Sequence, residues 1–319
     1  MKDSIAKYGT IITFILVALC FIVFLPAFRT AGNLINILGQ TAILGLFSLG
    51  LTCCMKVGDI DFSIGATGSL CGIVVALLMM KGIDMYLAIC IALAIGIVIG
   101  VFNGILTGYL NFDSFICTIG TSLFVFGIAT GLTGGKNILL QDIFDGFGMI
   151  GSGNLGGIPI RFLLMVFIAI VIWLFHVYTE TGRDIEAVAG NASAAHIYGV
   201  KVKFIKMLSF MLSGFCASAA GIVITSSIMS ARAADNIGYI LGAMAACFIG
   251  ASVVRIGQFH IWGTLLGVFF TVVATNGFII MMVPSFVTKI VAGTILLIAI
   301  LLSIVATKLI KKVNVRQIE

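Results

Sequence analysis

Charge is what this sequence has least of. Only 9% of its 319 residues are Asp, Glu, Lys or Arg, against about 25% in a soluble domain. Apolar residues reach 61%, where about 45–50% is usual. So little polar surface cannot cover so much apolar surface in water, which excludes an ordinary soluble enzyme or binding domain. Histidine is scarce too: His176, His196 and His260 stand far apart, with no HxxxH pair. No resident metal is expected. The eight cysteines (20, 53, 54, 71, 90, 117, 216 and 247) fall in or beside apolar runs without zinc-finger spacing. They read as buried free thiols.

Nucleotide-binding signatures are also missing. Gly134-Gly135-Lys136 resembles the end of a P-loop, but Thr130 stands where the first glycine belongs and Asn137 where Ser or Thr belongs. Gly151 to Gly156, GSGNLG, fits GxGxxG by letter alone. No strand precedes it, so it is expected to be a flexible loop. The formal charge is +6, yet no basic patch interleaves aromatics as nucleic-acid binders do. The chain is expected to bind neither nucleic acid nor ATP, and to carry no cofactor and no catalytic residue.

Long apolar runs are abundant. Ten can be marked, at about 9–27, 35–56, 63–80, 84–110, 114–133, 161–179, 206–229, 237–254, 261–282 and 286–308. A helix crosses a bilayer in about 20 residues, so the expected fold is an all-α integral membrane protein. It has about ten transmembrane helices in one compact domain, 1–319. Lys2 and Lys7 precede the first run, but no A-x-A site follows it, and it reads as an uncleaved span. An even count puts both termini on one side. That side would hold twelve Lys and Arg residues (2, 7, 56, 183, 201, 203, 206, 255, 308, 311, 312 and 316) against six on the other. By the positive-inside tendency both termini are cytoplasmic. The longest outer connection is 134–160.

Small residues form stripes along three runs: Gly96, Gly100, Gly104 and Gly108; Ser209, Ser213, Ala217 and Gly221; Gly263, Gly267, Thr271 and Thr275. Spacing of four lets helix backbones approach closely in lipid. Corresponding stripes in both parts of the chain are compatible with two pseudo-repeated halves.

Polar residues inside spans are costly and mark candidate sites. Asp59 and Asp61, in VGDIDFSIG, sit where two runs meet between Gly58 and Gly65, as in a broken helix. Asp61 or Ser63 can cap the next helix; contact with a polar solute and ion coupling stay open. Gln40, Asp59, Asp61, Ser63, Asn103, Thr118, Thr121 and Asn276 are the candidate pathway residues, although for each one a helix–helix hydrogen bond is the favoured role. The general scarcity of intramembrane carboxylates speaks against an ion-driven carrier.

One segment departs from all this. Residues 179–206, TETGRDIEAVAGNASAAHIYGVKVKFIK, carry seven of the chain's charged side chains. Arg183 to Ala189 can form one short helix and Ala192 to Tyr198 another. Gly190-Asn191 makes the turn between them, with Asn191 as N-cap and Gly199 as the stop. A plain connection would run about 4–6 residues. A folded surface pair of helices suits docking into a groove on a partner, although a solvated interfacial helix without a partner has the same pattern.

These residues resemble a known family, the permeases of ribose-type ABC importers within the branched-chain amino acid and ribose permease superfamily. The run from Gly182 to Val200 is similar to that family's cytoplasmic loop, close to GRxxxAVGxNxxAAxxxGI. VGDIDFSIGA resembles GGIDLSVGS, FICTIGT resembles FIxTLGT, and LSGFCASAAG, the stretch from Trp262 to Gly267 and Asn276-Gly277 also have counterparts, in the family's order over about 40–305. The resemblance departs at 249–258, IGASVVRIGQ, where the family's paired glycines are absent. It implies a membrane subunit of an ATP-driven importer in a bacterial cytoplasmic membrane, paired with a second identical or paralogous permease. Cytoplasmic ATPase subunits, holding ATP and Mg, would grip the loop at about 180–205, and an external solute-binding protein would deliver the cargo. Arg183, Glu186, Ala187, Gly190, Asn191, Ala194, Ala195 and Gly199 are the coupling-loop residues so implied. The implied cargo is a monosaccharide or a sugar-like signal such as autoinducer-2, or a nucleoside. An ion-coupled secondary carrier and a receptor scaffold are the rival readings.

Overall fold

The computed structural model describes residues 2–140, 145–234, 236, 238–253 and 257–284, with 287, 290, 293 and 294 beyond them. Its helices are α1 (Lys2–Phe24), α2 (Ala31–Lys56), α3 (Ile64–Met80), α4 (Met85–Gly104), α5 (Ser114–Thr133), α6 (Asp145–Ser152), α7 (Ile160–Tyr178), α8 (Glu180–Ile197), α9 (Val202–Ile228), α10 (Tyr239–Val253) and α11 (Ile261–Ile280). A π-helical turn, Ile105–Tyr109, prolongs α4. Among the described residues, α2, α4 with that turn, α5, α7, α9 and α11 are long and apolar enough to cross a membrane. The stretches Phe14–Phe24, Ile64–Met80 and Tyr239–Val253 are apolar but shorter. Nearly all of the tenth expected span, 286–308, and residues 141–144 of the outer connection lie outside the described residues. The protein is a predominantly helical, multi-spanning membrane protein of the all-α class.

Helix boundaries follow local chemistry. Asp84 caps α4 by accepting from the amides of Tyr86 and Leu87, and Asp113 caps α5 through Ile116 N. Gly58, at φ +88°, ends α2. Its amide returns to the Met55 carbonyl while that of Asp59 reaches Cys54, which is the Schellman arrangement that a left-handed glycine permits.

The bundle is organised around α9, which packs against α2, α3 and α4. The glycine stripe of α4 lies on one face of α9. A β-carbon on Gly100 would overlap the Phe210 carbonyl oxygen, and one on Gly96 would overlap Gly214 and Ser218. The Ser209–Gly221 stripe points elsewhere, toward α2 and α3: Gly50 lies against Ser213 and Cys216, Gly68 against Ala217 and Gly221. Two stripes on two helices therefore do not meet each other; α9 is small on both sides and is clasped between neighbours. A third close approach joins α10 to α11 through Gly250–Gly263 and Ala246–Gly267. Packing of this kind stands in for the hydrophobic drive that is absent between helices in lipid.

The 145–160 part of the outer connection is folded, contrary to the flexible loop expected for GSGNLG. α6 packs on α9, with Phe147 fully buried. The Ser226 hydroxyl donates to the Phe147 carbonyl (2.5 Å) and accepts from the Gly151 amide (2.8 Å). Strands β1 (Ile138–Leu139) and β4 (Ser230–Ala231) pair antiparallel. So do β2 (Asn154–Leu155) and β3 (Ile158–Pro159). Gly156 and Gly157, at φ +59° and +87°, form the two-residue turn between β2 and β3, where positive φ at both positions suits the strand twist. The sequence missed this because its signal lies in side chains of α9 far along the chain.

Candidate functional site

The break between α2 and α3 gathers a cluster of buried polar residues. Asp61 Oδ1 accepts from the Ser63 amide (2.9 Å) and from the Ser63 hydroxyl (2.6 Å). Its Oδ2 accepts from the Ser213 hydroxyl of α9 (2.8 Å). Ser63 Oγ in turn accepts from Asn103 Nδ2 of α4 (2.9 Å), and Asn103 Oδ1 accepts from the Thr121 hydroxyl of α5 (2.6 Å). The donors run in one direction, Thr121 to Asn103 to Ser63 to Asp61, and end on a carboxylate. All five side chains are buried. Thr118 completes the junction by accepting from the Phe62 amide (3.0 Å), while Ser114 Oγ accepts from Ile60 N (3.3 Å).

Five of the sequence-derived pathway candidates, Asp61, Ser63, Asn103, Thr118 and Thr121, thus meet in one hydrogen-bonded junction that pins α3, α4, α5 and α9 together. Each acceptor faces a donor, so the junction satisfies itself, as buried polar groups must. Of the readings left open for Asp61, the bond to Ser213 of α9 matches the helix–helix tie; at the N-cap position of α3, Ser63, no side chain caps the helix. Ser213 was not singled out as polar machinery, since it looked like one more small residue in a packing stripe.

Two ion pairs flank the break. Lys56 Nζ lies 2.5 Å from Glu186 Oε1, joining the end of α2 to α8. Lys206 Nζ lies 2.9 Å from Asp59 Oδ2, with the better-aligned hydrogen bond going to Oδ1 at 3.2 Å. Lys56 and Lys206 were legible in the sequence only as topology charges.

Gln40 and Asn276 are elsewhere. Asn276 exchanges two side-chain hydrogen bonds with Asn33 (2.9 and 3.0 Å), and Gln40 donates to Asn36 on its own helix (3.4 Å). Neither joins the junction.

The charged segment 179–206 forms α8 as two helical pieces. Thr179 caps the first by accepting from Gly182 N (2.9 Å). Gly182 has no room for a side chain, because a β-carbon would overlap the carbonyls of Phe175 and His176. Asn191 leaves the helical region (φ −162°, ψ 104°), and its Oδ1 accepts from Ala194 N (3.0 Å) to cap the second piece. Gly199, at φ +88°, closes it, with the amides of Gly199 and Val200 returning to His196 and Ala195. Ile185, Val188 and Ala195 are buried with Val57 and Ile205 in a small cluster separate from the main cores. Ala195 therefore serves to seat the segment. Arg183, Glu186, Ala187, Gly190, Asn191 and Gly199 are exposed, and Ala194 is half-buried. Ile197 and Tyr198 are 84% and 88% exposed. Among the described residues, no group of three or more His, Cys, Asp or Glu is placed to hold a metal ion.

Known proteins share this pattern. The family described as "Branched-chain amino acid transport system / permease component" matches residues 33–300. The ribose import permease protein RbsC of Bacillus subtilis (strain 168) is 36% identical over 277 residues, 87% of this chain and 86% of that protein. RbsC of Escherichia coli (strain K12) is 30% identical over 278 residues, 86% and 87% of the two chains. The D-allose transport system permease protein AlsC of Escherichia coli (strain K12) is 30% identical over 304 residues, 95% and 93%. No solved structure matches the chain. With the family match covering most of its length and relatives at this identity spanning nearly all of it, the chain belongs to the permease-component family of the branched-chain amino acid transport systems and their sugar-permease relatives.

Proposed function

We propose that this chain is the membrane-spanning subunit of an ATP-driven importer for a monosaccharide-class solute. The names of its relatives, ribose and allose permeases, support that class. A sugar-like signal such as autoinducer-2 and a nucleoside are the alternative cargoes. The observation that carries the proposal is the build of α8. It is seated on its own apolar cluster and held by Lys56–Glu186, yet it presents Arg183, Ala187, Ile197 and Tyr198 outward. An exposed apolar pair on a charged helical segment fits a groove on a protein partner.

That partner is a cytoplasmic ATPase, which holds the ATP and Mg; a second permease subunit and an extracytoplasmic solute-binding protein complete the importer. The chain then lies in a bacterial cytoplasmic membrane with ten spans and both termini cytoplasmic. Its two halves are pseudo-repeats, a reading favoured by the glycine approaches that recur at α4–α9 and α10–α11. Movement of α8 reaches the pathway through the end of α2, where Lys56 pairs with α8, and the break at 57–63, where Asp59 pairs with α9.

Reconstitution in liposomes tests this. Uptake is expected only with the ATPase, ATP and the loaded binding protein together. Uptake under an ion gradient by the chain alone would establish a secondary carrier, and binding without uptake would establish a scaffold.

A further inference from the structure

A cavity of about 610 Å³ opens between the end of α4, the end of α8 and the start of α9. Its walls include Tyr109, Asn111, His196, Lys201, Lys203 and Phe204, with Lys206 at its edge and no carboxylate lining it. Among the described residues Lys206 is held by Asp59, whereas Lys201 and Lys203 make no ion pair. No side chain caps the first turn of α9, so the positive end of a 27-residue helix adds to the two free ammonium groups. Uncompensated positive charge around a cavity calls for an anion.

The position says which anion. Tyr109 and Phe204 are exposed, and Ile105, Leu110 and Phe112 continue an exposed apolar surface from the same corner. On a spanning helix such a surface faces acyl chains, and amphipathic Tyr and Lys beside it mark the headgroup level. Basic cavities between spans at that level suit phosphate headgroups. We propose that this cavity binds the phosphate headgroup of an anionic phospholipid, with Lys201 and Lys203 as its cationic contacts and Tyr109 and Phe204 against the first acyl carbons. The site requires only that 199–206 lie at a membrane border; it does not depend on which solute is carried.

The test uses the full chain in a non-ionic detergent, given phosphatidylglycerol or phosphatidylcholine of identical acyl chains. Retained lipid is counted by native mass spectrometry, and the thermal midpoint is followed in parallel. Phosphatidylglycerol is expected to stay bound and raise the midpoint, and phosphatidylcholine to do neither. Inorganic phosphate and glycerol phosphate at the same concentration are expected to have no effect. Each lysine near the surface is worth about fivefold in affinity, so Lys201→Gln with Lys203→Gln should weaken retention about twenty-five-fold. Lys201→Arg with Lys203→Arg should preserve it, and Lys136→Gln, on the 134–160 connection, should not change it. If the double glutamine variant fails to fold, Lys203→Gln alone reads out the fivefold step. Equal retention of the two lipids, undiminished binding by a folded glutamine variant, or the same midpoint shift from free phosphate would overturn the proposal. So would displacement of bound phosphatidylglycerol by the cytoplasmic ATPase, which would assign this surface to protein docking.

Discussion

Lys206, near the start of α9, reaches Asp59 in the α2–α3 break, its ammonium 2.9 Å from Oδ2. The two residues are 147 positions apart in the chain. On the other side of the same break, Lys56 reaches Glu186 of α8. The break is therefore anchored from two directions. Its own Asp61 holds the buried junction, and Lys56 before it holds the segment that protrudes. A force on α8 has a short covalent and ionic route to the polar centre of the bundle.

The buried carboxylate is the first place to probe. Asp61 accepts from three donors, and each donor left buried without an acceptor costs about 1–3 kcal/mol. Asp61→Ala is expected to lower the thermal midpoint of the purified protein sharply. Asp61→Asn, which keeps one oxygen, should fall between it and the parent. An unchanged midpoint in both would mean that the junction does not hold the helices.

Glycine substitutions separate packing from propensity. Gly100→Val forces α4 away from the Phe210 backbone, and overpacking of this kind costs about 1–3 kcal/mol. Gly127 on α5 has open space around it. Gly127→Ala is expected to be neutral or to stabilise by up to about 1 kcal/mol. Thermal denaturation of the two variants side by side checks the contrast.

Asn191 caps the second piece of α8 through Ala194 N. Losing such a cap costs about 1 kcal/mol. Asn191→Ala should therefore speed amide hydrogen exchange over 194–198 about fivefold, with exchange in α9 unchanged. Equal exchange in parent and variant would show that the cap is idle.

The ion pair at the start of α8 gives a charge-swap experiment. Glu186→Lys places a second ammonium opposite Lys56 and should cut ATP-dependent uptake about tenfold or more while the protein still inserts. Adding Lys56→Glu should restore part of the loss. Full uptake in the single variant would separate Lys56–Glu186 from coupling.

Much of this was legible in the sequence for local reasons. Apolar run length reports membrane embedding, and Gly190-Asn191 and Gly199 report the kink and stop of α8, because caps and left-handed glycines act within a few residues. The stripe at Gly96–Gly108 announced a close helix contact but could not name the opposing face, which proved to be Met207, Phe210, Gly214 and Ser218 instead of the second stripe. Asp61 and Asn103 were visible as buried polar groups; that Ser213, 152 positions from Asp61, shares their junction was not, since a hydrogen bond across helices leaves no periodic trace. Gln40 and Asn276 looked equivalent to the others for the same reason. Polarity within a span says that a partner exists, not where it stands.

Photocrosslinking from the exposed end of α8 tests most directly whether energy enters there. A photoreactive residue placed at Tyr198, in cells that assemble the whole importer, is expected to form an adduct with the nucleotide-hydrolysing subunit. One placed in the β2–β3 turn at Gly157 should not. Adducts from Tyr198 only with extracytoplasmic proteins, or none with the ATPase in the assembled importer, would contradict it.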